Sequence, residues 1–416
     1  MKIGLLHLAE RRWGGQYQYS LSVIETLLKN DHQSEYLVMD ASSDTSGLPE
    51  ETDVISIPQE SNMFRQALNK LYQGLLGMSP IPVPLLVPFG LTRLGRWNKR
   101  QNVASLGLDL IICPVAALNL HKLKVPYIMV IHDVMQRYET HEFPWKERAY
   151  RDTVYKRGAE GSVLTVVFSQ SGKTDLHRFY GIPLEKVRVI PCLPPPHIYE
   201  YRDLTPAQVE LILNRFNLPE RYIFYPAHFW PHKNHANLVK ALHLIKQRHG
   251  VEIPAVFVGF GYEAFNDVMR LVDELGLGGQ IFYLGYVSEK EIVALYKKAT
   301  AMVIPTLFEL DSLPVVEAFA LSTCCLCSTS FSLPEQAGDA ALLFDPYDIE
   351  DMANKVWSVW TDESLRLSLA NKGRQLADEK YTPPVFTRQW FEVISDAAKI
   401  CQKVSKEAVM HGAKSL

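Results

Sequence analysis

Ala301-Met302-Val303-Ile304-Pro305-Thr306-Leu307-Phe308-Glu309-Leu310-Asp311-Ser312-Leu313-Pro314-Val315-Val316-Glu317 is the stretch on which the fold turns. The first four residues are apolar without alternation, as expected of a strand whose two faces are both covered by helices. A short loop follows, and then a helix. Strand, loop and helix in this order make half of a βαβ unit, which brings a parallel sheet with it.

The same unit recurs in both directions along the 416 residues. Tyr222–Tyr225, Ala255–Val258, Ile281–Leu284, Cys324–Ser328 and Ala341–Phe344 read as further strands of the second half. In the first half the strands are Lys2–Leu8, Tyr36–Met39, Leu110–Cys113, Tyr127–Ile131 and Val163–Phe168. The first helix opens near Gly14-Gly15 and carries Leu21, Ile24, Leu27 and Leu28 at helical spacing. Between the halves, Pro191-Cys192-Leu193-Pro194-Pro195-Pro196 has four prolines in six residues and reads as a linker. The chain is thus expected to form two Rossmann-like α/β domains, 1–192 and 193–384, followed by an amphipathic helix. Ligands of such sheets bind at the carboxyl ends of the strands.

Composition narrows the function. A chain that is 47% hydrophobic and 21% charged is a folded protein, and a net charge of -3 gives no basic field for nucleic acid. Cys113, Cys192 and Cys401 stand alone, and Cys324, Cys325 and Cys327 sit in a buried-strand pattern, so neither a disulfide framework nor a metal site is expected. No secretory signal and no apolar run of about 20 residues is found, which makes the cytoplasm the expected compartment. Residues 79–100 are apolar and proline-rich and lead to Arg93, Arg96, Lys99 and Arg100. They read either as a packed loop entering a basic surface helix or as a surface that rests on anionic lipid.

Two motifs nearly match and fail. Gly172-Lys173-Thr174 has Val167 where a P-loop needs its first glycine, so a helix start capped by Ser169 or Ser171 is the better reading. Gly259-Phe260-Gly261 follows a strand like a dinucleotide fingerprint, but the next strand ends in Gly285-Tyr286 instead of an acidic ribose ligand. The chain also has no D-x-D tripeptide, the usual metal holder of metal-dependent sugar transferases.

Three loops of the second half converge instead. Tyr225-Pro226-Ala227-His228-Phe229-Trp230-Pro231-His232-Lys233-Asn234 places a lysine between a strand and a helix, a position suited to a diphosphate. Glu309 and Glu317 lie eight apart, one in a loop and the other two turns into a helix. Ser332-Leu333-Pro334-Glu335-Gln336-Ala337-Gly338-Asp339 forms the next turn. Together these resemble the family-4 retaining glycosyltransferases of GT-B fold, mannosyltransferase-like members in particular, with the strongest correspondence over residues 222–345.

The resemblance implies two Rossmann-like domains facing across a cleft, with the helix of about 385–410 crossing back onto the first. It implies that Glu309, His132 and Lys233 carry the chemistry: Glu309 and His132 at the donor sugar, Lys233 on the departing diphosphate. Donor contacts are implied for Gly14, Gly15, His228, Asn234, Gly259, Tyr286, Val287, Leu310, Asp311, Ser312 and Leu313, with Glu317 on the ribose. Two departures stand out: His228 occupies a position where the family often has arginine, and Leu310 and Ser312 replace its usual glycines. The implied reaction moves a hexose, with retention and without a metal, from a nucleotide-diphosphate sugar to a hydroxyl of a glycan or lipid-linked acceptor. GDP-mannose is the expected donor, ahead of a UDP-hexose, and surface polysaccharide synthesis is the expected setting. The alternatives are a non-catalytic nucleotide-sugar-binding subunit of an assembly complex, and a GT-B epimerase or phosphorylase.

Overall fold

The computed structural model describes residues 1–9, 15–40, 48, 53–56, 103–117, 120–138 and 143–412. The chain divides into two compact units, Met1–Ile190 with Thr387–Leu416, and Pro191–Phe386.

In the N-terminal unit, seven strands form one parallel sheet: β1 (Lys2–His7), β2 (Glu35–Asp40), β3 (Val54–Ser56), β4 (Leu110–Cys113), β5 (Tyr127–Val130), β6 (Leu164–Val167) and β7 (Val187–Val189). Their order is β3-β2-β1-β4-β5-β6-β7, so the direction of winding reverses between β1 and β4. The central strands are buried along their whole length, which explains their unbroken Val/Ile/Leu character. Helices α1 (Gly15–Asn30), α2 (Trp145–Gly161) and α3 (Gln170–Tyr180) belong to this sheet. Ser169 Oγ accepts the Gly172 amide and caps α3, and Gly181 closes that helix in the left-handed conformation.

The C-terminal unit has a six-stranded parallel sheet: β8 (Ile223–Pro226), β9 (Ala255–Val258), β10 (Ile281–Tyr283), β11 (Ala301–Ile304), β12 (Cys325–Ser328) and β13 (Ala341–Phe344). The order β10-β9-β8-β11-β12-β13 again reverses, here between β8 and β11. Such a switch point leaves a crevice beyond the carboxyl ends of the two central strands, because the loops that follow them diverge. The helices are α4 (Pro196–Tyr201), α5 (Pro206–Leu213), α6 (His235–His249), α7 (Phe265–Glu274), α8 (Glu289–Lys298), α9 (Leu313–Ala320), α10 (Leu333–Ala337), α11 (Ile349–Thr361) and α12 (Glu363–Lys380). Cys324, Cys325 and Cys327 are buried in and beside β12, unbonded to one another.

A final helix, α13, runs Pro383–Gly412. From Thr387 onward its residues belong to the N-terminal unit, where Trp390 is buried and Asp396 pairs with Arg188 at 3.1 Å. The proline-rich residues 79–100 and Gly14 lie outside the described residues.

Candidate functional site

The site of the C-terminal unit grows from the loops after β8 and β11, the two strands at its switch point. Beyond β8, Phe229 turns inward and stacks on His235 at 4.0 Å, with Phe257, Phe265 and Tyr283 edge-on around it. This aromatic anchor fixes a one-turn 3-10 segment, Pro231–Lys233. Asn234 then adopts a left-handed conformation, φ 60°, a shape that asparagine tolerates better than most residues. Its amide donates to Pro305 O at 2.9 Å and Pro346 O at 3.0 Å. The carbonyl of His232 accepts from Leu307 N at 2.7 Å and from Thr306 Oγ1 at 3.0 Å. The two loops are thereby stitched together, and the Tyr225 hydroxyl adds a bond to Lys233 O at 2.7 Å.

That stitching sets Lys233 Nζ 2.5 Å from Glu309 Oε2, with the two side chains 22% and 19% exposed. The pair stands beside the start of α9, whose N-cap, Ser312, makes no side-chain capping bond. A helix start leaves backbone N–H groups without intrahelical partners, and these carry a partial positive charge. A lysine and an uncapped helix start at one switch point suit a phosphorylated ligand.

The Glu309–Ser312 loop is held from behind by α10. Ser332 Oγ donates to Glu309 O at 3.2 Å and also to Leu310 O, while Gln336 accepts from Ser312 N at 3.0 Å and donates to Ser312 O at 3.0 Å. Leu310 and Ser312 are buried, and Asp311 spends its carboxylate on Cys192 N and Gln336 Nε2. Burial lifts the Asp311 carboxyl to about 7. Glu317 lies just over one turn into α9, not two, because the helix starts only at Leu313; it is buried and accepts from the Tyr296 hydroxyl at 2.7 Å, and burial lifts its carboxyl to about 7 as well.

His228 stands where a permanent cation was expected to be missing. Its Nδ1 accepts from Phe260 N at 2.9 Å, so the proton sits on Nε2. Burial first, and then the Lys233 charge, hold the ring below the ordinary histidine range, so it is neutral at pH 7. His232 is pushed further, to about 3, for the same two reasons. Lys233 is therefore the cation that these two histidines do not supplement.

Gly259 has φ 139°, and a Cβ there would lie 2.5 Å from Ala227 O, so only glycine lets the β9 loop pass so close to the β8 loop. Its amide donates to Gly285 O at 2.9 Å. Tyr286 is 67% exposed and stacks on Phe260, whereas the Val287 side chain is in the core. The side chain of Leu313 packs against that core too.

In the N-terminal unit, Gly15 opens α1 at an exposed position. His132 follows β5, and its Nε2 donates to Pro114 O at 2.8 Å, which leaves Nδ1 as the ring's acceptor. Burial holds His132 below its ordinary range, so it is neutral. Tyr19 and Phe168 meet the ring edge-on at 5.2 and 4.9 Å and fix its plane. From the sequence Glu317 stands out without Tyr296, and the Lys233 loop without Thr306, which holds it at His232 O. Ser332–Asp339 reads from the sequence as a turn, and in the structure Ser332 and Gln336 of that stretch hold the Glu309–Ser312 loop. Among the described residues no group of three His, Cys, Asp or Glu could hold a metal ion, and no helix is long and apolar enough to cross a membrane.

Two doubly wound parallel-sheet units, one with a Lys–Glu pair beside an uncapped helix at its switch point, define a protein of GT-B architecture. Residues 213–376 match the family described as glycosyl transferases group 1, and residues 13–193 match glycosyltransferase family 4. The chain belongs to these glycosyltransferases. Among sequence relatives, the O-antigen chain mannosyltransferase B of Escherichia coli is 26% identical over 245 residues, which is 58% of this chain. The chain spans 62% of the length of that relative. Among solved structures, the sucrose-phosphate synthase of Thermosynechococcus elongatus superposes with a TM-score of 0.69 at 19% identity, over 95% of this chain and 98% of that one. Anabaena Alr3699/HepE, in complex with UDP and glucose, gives a TM-score of 0.67 at 15% identity, over 95% and 99%.

Proposed function

We propose that the protein transfers mannose from GDP-mannose to a hydroxyl of a glycan or lipid-linked acceptor, with retention of anomeric configuration and without a metal, in the synthesis of surface polysaccharide. The observation that carries this reading is the Lys233–Glu309 pair at the switch point beside the start of α9. The mannosyl donor is favoured by the O-antigen chain mannosyltransferase among the relatives.

As the sugar–oxygen bond breaks, negative charge grows on the diphosphate and positive charge on the sugar. Lys233 and the Leu313 amide at the start of α9 meet the former; fixed dipoles aimed at developing charge are worth several kcal/mol. Before donor arrives, Lys233 and Glu309 neutralise each other. A bound diphosphate draws the ammonium away and frees the Glu309 carboxylate to accept from sugar hydroxyls beside the developing positive charge. Glu317 has one oxygen on Tyr296 and offers the other to the ribose. Neutral His132 offers Nδ1 to a sugar hydroxyl. The leaving phosphate takes the acceptor proton, with attack on the face it leaves.

A second reading, donor binding without turnover, draws on the neutral His228 and the closely tied Leu310–Ser312 segment. Proton NMR of the product made from GDP-mannose with glycan and lipid-linked acceptors decides between them. An α-linked mannoside supports transfer with retention. A β-linked product refutes retention, and binding of donor with no nucleotide release favours the second reading. Contact with the membrane through residues 79–100 is part of the proposal; failure to bind anionic liposomes removes it.

A further inference from the structure

We infer that Asp311 is a positioning residue: its carboxylate latches the first residues of the C-terminal unit, at Cys192, to the loop that carries Glu309. The two oxygens are held by two residues, Cys192 and Gln336, and the Cys192 thiol adds a bond to that of its amide. Oδ2 accepts from Cys192 N at 2.8 Å, 119 residues away in sequence, and Oδ1 accepts from Gln336 Nε2 at 2.5 Å. Gln336 cannot turn over to suit a different partner, because its own Oε1 accepts from Ser312 N at 3.0 Å and its Nε2 also donates to Ser312 O. Asp311 must therefore present an acceptor on both oxygens. Glu309 is two residues away, and its backbone carbonyl is held by Ser332 from the same side. The latch thus leaves the Glu309 backbone little freedom, and its side chain is aimed by that backbone.

The charged and titratable groups around Asp311 come from every neighbouring segment. They are the Cys192 thiol of the linker, Glu309 of its own loop with Lys233 opposite, Glu335 of α10, and Tyr381 after α12. Burial raises the Asp311 carboxyl to about 7; the Cys192 bonds lower it, and Glu309 and Glu335 raise it further. A proton taken up below that pH turns one acceptor into an O–H facing an N–H, and one arm of the latch opens. The latch closes as pH rises through neutrality.

Asp311→Asn tests this with the smallest change of shape, since an amide has one acceptor and must set its NH2 against either Cys192 N or Gln336 Nε2. The kinetic part rests on the donor reading above; the latch itself is read by the Cys192 amide in 1H–15N NMR of the full chain. The Cys192 amide shift is expected to titrate with a midpoint near 7 in the unmodified protein and to be flat in Asp311→Asn. With GDP-mannose, kcat of the variant falls about 10–100-fold, KM changes less than about threefold, and the acid limb of kcat near pH 7 disappears. Gln336→Leu, which removes the other anchor, gives the same split. A flat Cys192 amide in the unmodified protein, or an Asp311→Asn variant with unchanged kcat and pH profile, overturns the inference. If both variants fail to fold, the titration in the unmodified protein still decides. A titrating amide in a protein that turns over no donor upholds the latch and refutes the transferase reading alone.

Discussion

Glu317→Gln is expected to flatten the pH dependence of stability while impairing the donor site. Glu317 is buried in α9 and its carboxyl is lifted from 4.5 to about 7, by burial above all, against the lowering effect of the Tyr296 hydroxyl. Between those two values the folded protein holds a proton that the unfolded chain has released. Stability from this group is therefore greatest below about pH 4.5, falls as pH rises, and reaches its floor above 7. Linkage gives a loss of about 2.5 kcal/mol between pH 5 and pH 8. Glutamine keeps an acceptor for Tyr296 and does not ionise, so that loss disappears in the variant. Asp311, also lifted to about 7, contributes a slope of the same sign in both proteins and cancels from the comparison. Urea melts at pH 5 and pH 8 supply the test. The loss of stability over that range should be about 2.5 kcal/mol smaller in Glu317→Gln, equal to about 5–10 °C in melting temperature for a domain of this size. Equal pH dependence in the two proteins would show that Glu317 is not the strained acid described here. On the proposed role of Glu317 at the ribose, the same variant should also raise KM for the nucleotide sugar.

Glu309→Gln is expected to lower kcat about 100–1000-fold and to leave the affinity for nucleoside diphosphate within about threefold, checked by turnover and calorimetry on one preparation. Gly259→Ala should destabilise the C-terminal unit by about 2–3 kcal/mol in thermal melts, because a Cβ 2.5 Å from Ala227 O must push the β8 loop away. Because burial and the Lys233 charge hold His228 below the ordinary histidine range, any gain in diphosphate affinity from its protonation should come only on the acid side of that range. His228→Gln should remove that gain.

Much of this was legible in the sequence. Unbroken apolar runs such as Leu110–Cys113 and Ala301–Ile304 announce strands covered on both faces; the boundary expected at 192/193 compares with a division of the two units between Ile190 and Pro191, at the first of the prolines of 191–196. The edge strands β3 and β7 went unread, since three residues are too few for a periodicity. In the site, Lys233 and Glu309 stood out only through the resemblance of their loops to a known family. Their partners did not stand out. Tyr296 reaches Glu317 across 21 residues, Gln336 reaches Asp311 across 25, and Cys192 reaches Asp311 across 119, and no local pattern encodes such pairs. Asp311 shows the limit best. The resemblance implies a donor contact there, yet its carboxylate is committed to Cys192 and Gln336 within the protein.

The most direct test of the site is calorimetric titration of the purified protein and of Lys233→Ala with GDP, UDP and ADP, in EDTA. One diphosphate, GDP, should bind the unmodified protein and lose about 100-fold in affinity on Lys233→Ala, the loss expected when a charged hydrogen bond to phosphate is removed. Binding that is unchanged by Lys233→Ala, or no binding of any of the three, would contradict a diphosphate site at the β8–β11 switch point.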